Sequence, residues 1–194
     1  CFIDHSFDLT LYQGYIEKII QGGFKMFLDD ISQYDFKSDV LKIVENVQDH
    51  RLEIKEIQNN FKELTKGLDQ KIESLFHKTI DATIVLYLGL CNGAGWVKEH
   101  NEKTYVLLGI EKIIELSWGN KDDMIGLIYH ELGHVYQKQY GILERPLLNK
   151  HDEMLWQLFI EGIAMAFEQK LMNNENYYHQ NKNGWLAYLS IHLN

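Results

Sequence analysis

The segment His130-Glu131-Leu132-Gly133-His134 sets two imidazoles four residues apart with a carboxylate between them. On a helix, residues four apart lie one turn up the same face, so both rings can reach one ion. Glu131 sits about 100° round the helix from His130, near enough to touch a water beside that ion without being a ligand. An ion so held lowers the pKa of the water, and the carboxylate then takes its proton. The chemistry indicated is metal-assisted hydrolysis, with one Zn2+ per chain, His130 and His134 as ligands and Glu131 as catalytic base.

A catalytic zinc site takes three protein ligands and keeps one position open. Extension of the motif by a glycine and a third histidine is absent, because those positions hold Gln137 and Tyr140, which excludes the metzincin arrangement. The remaining candidates are Glu144, His151, Asp152, Glu153 and Glu161. Glu161 is preferred. It stands in Phe159-Ile160-Glu161-Gly162-Ile163-Ala164-Met165-Ala166, and a carboxylate among so many apolar residues is costly unless paired or bound to a cation. Gly162 and Ala164 are small enough to let this helix approach the motif helix. His151 is the main rival.

H-E-x-x-H followed by a helix bearing Glu-Gly-x-Ala resembles the gluzincin metallopeptidases. The likeness is closest to the bacterial zinc-dependent proteases grouped under domain of unknown function 2268. Asn92-Gly93-Ala94-Gly95-Trp96-Val97 and Val106-Leu107-Leu108-Gly109-Ile110-Glu111 look similar to segments preceding the motif helix there. The likeness runs from about Ala82 to Leu171. It implies a zincin-like core with His130, His134 and Glu161 as ligands and Glu131 as base. One position departs: many gluzincins place an acid four residues after the ligand glutamate to orient a histidine, and here that position is Met165. Glu168 shares the Glu161 face two turns on, but a solvated helix acid is the plainer reading of it. A donor to the tetrahedral oxyanion is expected among Tyr177, Tyr178, His179 and Tyr188.

The elements that must position these residues read as follows. Apolar periodicity predicts helices over 9–20, from Ser38 to about Thr65, over 68–78, 111–116, 122–140 and 152–172. Ser38 is the expected N-cap of the second. In the motif helix, Ile125, Ile128, Leu132 and Val135 supply a core face, with His130, His134 and Gly126 nearer the opposite side. Gly126 and Gly133 each cost on the order of 1 kcal/mol relative to alanine, which implies a close neighbour. Residues 82–88 and 104–108 read as strands and are expected to pair antiparallel across the loop at 92–95. The second could offer an edge to an extended substrate, or be buried with no free edge. The expected fold is α+β and mainly helical, with a small antiparallel sheet beside an active-site helix pair. Residues 1–80 form a helical N-terminal region packed on a core of residues 81–194.

With 194 residues, 45% of them hydrophobic, the chain can bury a sizeable core. A net charge of −9 argues against a nucleic-acid surface. No apolar run is long enough for a membrane span. Cys1 and Cys91 cannot make a disulfide framework, and Cys91 reads as a small apolar residue beside a strand. A start at Cys1 is that of a processed lipoprotein, but Phe2-Ile3 follow with no polar tether, so a trimmed sequence is expected. Localisation stays open between cytoplasmic and cell-surface anchored, and oligomeric state is unknown. The expected partner is a peptide or protein substrate. Two other readings stand beside it: a non-catalytic interaction or metal-sensing protein whose zinc site is structural or vestigial, and a zinc hydrolase of non-peptide substrates.

Overall fold

The computed structural model describes residues 1–179 apart from Gln33 and Asn92. The chain opens on a small hairpin of β1 (Phe2–Ile3) and β2 (Ser6–Phe7). Helix α1 (Leu9–Ile19) starts where the Asp8 side chain accepts from the backbone of Leu11. Helix α2 (Gly23–Ile31) follows a left-handed Gly22, φ 75°. The run expected as one helix from Ser38 changes pitch along its length. It comprises a π-helical segment Phe36–Leu41, α3 (Lys42–Asn46), a 3-10 stretch Val47–His50 and α4 (Arg51–Leu64). Asp35, not Ser38, caps it, accepting from the amides of Lys37 and Ser38. Helix α5 (Leu68–Phe76) comes next, between left-handed Gly67 and His77.

Three strands follow: β3 (Thr83–Tyr87), β4 (Gly95–His100) and β5 (Lys103–Gly109). The mainly helical α+β class holds, but pairing within this sheet differs from expectation. Its order is β3-β5-β4, and β3 pairs with β5 in parallel, Val85 opposite Leu107. The unforeseen strand β4 pairs antiparallel with β5, Trp96 opposite Leu107. The reason is the turn. Asn101 (φ 50°) and Glu102 (φ 61°) are both left-handed, the geometry of a two-residue hairpin loop, so β4 and β5 must be antiparallel neighbours. With β5 central, it has no free edge to lend a substrate.

The described chain divides into two compact units, Cys1–Phe61 with Thr83–Asn120 and Lys62–Ala82 with Lys121–Asn194. In the first unit, Tyr87, Leu90, Tyr105 and Leu107 close one core with Tyr12, Ile16, Phe27 and Val44. The sheet and the N-terminal helices thus share their apolar faces. Helix α6 (Ile110–Glu115) belongs to this unit and carries Glu111, which is 1% exposed.

Glu111 holds a strained loop. Leu90 (φ 52°) and Cys91 (φ 68°) are left-handed without being glycine, a costly conformation for L residues. The Glu111 carboxylate accepts from Gly89 N at 2.8 Å and Cys91 N at 2.8 Å. Burial pushes its carboxyl above the usual range, against the lowering effect of those amides. Cys91 is half-buried against the core as expected, its thiol raised by burial to about 12. Glu111→Ala strands two inward amides, each worth about 1–3 kcal/mol, so a loss of roughly 2–6 kcal/mol is expected in denaturant unfolding.

In the second unit, α5 packs on two long helices, α7 (Lys121–Tyr140) and α8 (Lys150–Met172). Phe76 stacks on Phe167 with centroids 4.4 Å apart, and Lys71 Nζ donates to Tyr129 Oη at 2.8 Å. Asn149 caps α8 by accepting from Asp152 N. Among the described residues, no helix is long and apolar enough to cross a membrane.

Candidate metal centre

Helix α7 carries the histidine pair. The expected one-sided apolar face is not what the helix has: every residue from Met124 to Gly133 is buried, with Val135 and Gln137. Its polar residues are thus enclosed with the apolar ones. The glycines explain how. A Cβ on Gly133 would meet Ala164 Cα of α8 at 2.8 Å, so the two helices touch backbone to backbone there. A Cβ on Gly126 would run into Tyr177 and His179, which follow α8. Gly162, by contrast, has nothing near it and is exposed, so its smallness does not serve the helix contact.

The close α7–α8 approach brings His130, His134 and Glu161 together. His130 Nε2 lies 3.0 Å from Glu161 Oε2, and His134 Nε2 lies 3.8 Å from Glu161 Oε1. The two rings stand edge to face, centroids 4.9 Å apart. One donor atom from each of the three residues falls within 4.8 Å of the others, a separation from which they could hold a metal ion. Two imidazoles and a carboxylate are also the donor chemistry of a catalytic zinc site. Among the described residues no fourth His, Cys, Asp or Glu joins this set.

Glu161 is less enclosed than its neighbours in sequence suggest. Its side chain is 42% exposed, because Leu155, Leu158 and Phe159 on the same stretch of α8 face solvent. It is fixed instead by hydrogen bonds, accepting from His130 and from Gln157 Nε2 at 2.9 Å. The other candidates for third ligand lie elsewhere. Glu144, His151 and Glu153 are exposed, and Asp152 is paired with Arg145 and accepts from Leu148 N. His151 sits in the first turn of α8, about 15 Å of helix rise from Glu161.

The charges interlock. Burial works against a protonated His130, but the Glu161 and Glu168 carboxylates, with Glu131 nearby, outweigh it and push its pKa up to about 9. Burial and the His130 charge bring His134 down to about 4, against the pull of Glu161. Burial raises Glu131 to about 7, opposed by His130 and assisted by Glu161. The hydrogen bond from His130 holds Glu161 below the usual carboxylate range, with burial opposing.

Glu168 is not a solvated acid. Its side chain is fully buried, with one oxygen 3.5 Å from His130 Nδ1. Its helical spacing from Glu161 was the available signal, but the donor that meets its carboxylate, His179, arrives from beyond the helix. His179 donates to Glu168 Oε1 from its backbone at 2.9 Å, and its Nδ1 lies 3.0 Å from the same oxygen. Of the expected oxyanion donors, Tyr177 instead donates to the Asp122 carbonyl, and His179 is committed to Glu168. Tyr178 is half-buried with its ring against His179. Tyr188 lies outside the described residues.

No protein-family model matches the chain, and no similar curated protein or solved structure was found.

Proposed function

We propose that this chain is a zinc-dependent peptide hydrolase in which His130, His134 and Glu161 hold the ion and Glu131 is the general base. The observation that carries the reading is the convergence of those three donor groups within 4.8 Å of one another. Glu131 adjoins them, and its carboxyl is raised by burial to about 7. When bound there, zinc supplies Lewis acidity, polarising a carbonyl and bringing the pKa of a water toward neutrality.

Glu131 takes the proton of the attacking water and returns it to the departing amine. A carboxyl whose pKa lies near neutral pH is suited to both halves of that exchange. Glu161 leaves part of its own carboxylate facing solvent, where a substrate carbonyl can enter. A purely structural zinc site is closed by four protein ligands. A set of three among the described residues, with a half-exposed carboxylate, favours the catalytic reading over a structural or sensing one.

The test is hydrolysis of a fluorescently labelled unstructured protein, with small esters assayed alongside. Cleavage is expected, abolished by a chelator and restored by added zinc. Ester hydrolysis without peptide cleavage would move the reading to a non-peptide hydrolase. A zinc-loaded chain inert toward both would contradict it.

A further inference from the structure

We propose that Glu168 and His179 are positioning residues of this centre, and that they fix which nitrogen of His130 carries its proton. The proposal rests on the reading of His130, His134 and Glu161 as cation ligands.

A fully buried carboxylate costs several kcal/mol unless donors satisfy it. Glu168 and His179 both have side chains with no solvent exposure. Oε1 of Glu168 accepts from the backbone N–H and faces the Nδ1 of His179, at 2.9 and 3.0 Å. Oε2 is left buried without a hydrogen-bond partner, and so is Nδ1 of His130. These two atoms face each other at 3.5 Å. They form no hydrogen bond at that separation, but a proton on Nδ1 of His130 satisfies both on a slight closure of the gap. Once a cation replaces the Nε2 proton that Glu161 accepts here, that tautomer leaves the Nε2 lone pair to the metal, as a ligand requires.

The local sequence is arranged around this pair. Glu161 and Glu168 are seven residues apart on α8, two turns along one face. They bracket the His130 ring, Glu161 at Nε2 and Glu168 at Nδ1. Gly126 leaves the gap on α7 that His179 fills. Nδ1 of His134 is also buried but has no hydrogen-bond partner, so His130 is the ligand whose orientation is fixed from behind.

Atoms of His130, Glu168 and His179 also lie within 4.8 Å of one another, the spacing of a second cation site. That use would require His130 to give both ring nitrogens to metals. A single proton between Nδ1 and Oε2 satisfies the same two atoms without that demand.

The experiment is zinc titration of the full chain against a competing chelator, with far-UV circular dichroism to verify folding. The proteins are wild type, Glu168→Gln, His179→Ala and His179→Asn. Wild type is expected to take one ion. Glu168→Gln turns an amide donor toward Nδ1, favours the wrong tautomer and should weaken zinc about 10–100-fold. His179→Ala should also weaken it. His179→Asn, whose amide N–H can replace the Nδ1 donor to Glu168, should restore affinity, which a merely structural role does not predict. In the zinc-loaded protein, nitrogen-15 histidine spectra should show an Nδ1 proton on His130 that Glu168→Gln removes. If Glu168→Gln does not fold, equal affinities for the two His179 variants overturn the proposal. Wild-type affinity in both Glu168→Gln and His179→Ala overturns it too, and so do two ions per wild-type chain. A wild-type chain that takes up no zinc overturns the metal-centre reading itself.

Discussion

Glu131→Gln is expected to keep its zinc and to lose hydrolysis by about 10²- to 10⁴-fold, the usual contribution of a positioned general base. The substitution keeps the shape of the side chain and removes its ability to accept a proton. It should not unfold the protein. Glu131 is 6% exposed with its carboxyl raised to about 7, so a neutral amide replaces a group whose ionisation burial already opposes. Nor does Glu131 belong to the set of three converging donors. The measurement is kcat on a labelled peptide, with zinc per chain determined on the same sample. Activity within a few-fold of wild type, at equal zinc, would remove Glu131 from the chemistry.

His134→Ala has the opposite signature: the chain folds and the zinc is lost. Truncation leaves His130 and Glu161 as a two-donor set. The loss in affinity should exceed the roughly 10–100-fold that removing an outer hydrogen-bond partner costs. Glu161→Gln should weaken binding as well, because its carboxylate is the one that meets both imidazoles, at 3.0 and 3.8 Å. His151→Ala should bind like wild type, being solvated at the far end of α8. Zinc retained by His134→Ala and lost by His151→Ala would reverse the assignment.

How far the sequence reached is clearest residue by residue. His130 and His134 were legible because four-residue spacing on a helix fixes relative direction whatever the helix packs against. Glu161 does lie beside both imidazoles, but the apolar neighbourhood on which it was preferred is not there. An apolar neighbourhood in sequence does not make one in space, and Phe159 beside it is 51% exposed. Strand β4 was hidden because Trp96-Val97-Lys98-Glu99-His100 carries charge along an edge. Its turn, Asn101-Glu102, lacks the glycine that usually marks such hairpins. The expectation that β3 and β5 pair antiparallel followed from that omission. Glu168 lies on the buried face of α8 with Ala164, Phe167 and Leu171, but the donor that meets its carboxylate there, His179, lies beyond the end of the helix. That the sheet shares a core with the N-terminal helices was also out of reach, because periodicity shows that a strand has an apolar face but not which helices cover it.

The central claim is that two imidazoles of α7 and one carboxylate of α8 share a cation. The most direct measurement is anomalous diffraction across the zinc absorption edge from crystals grown with zinc. The account predicts one peak touching Nε2 of His130, Nε2 of His134 and the carboxylate of Glu161, with ligand distances of about 2.0–2.2 Å. No peak at that position in zinc-saturated crystals, or a peak there with Glu161 turned away from it, would contradict the account.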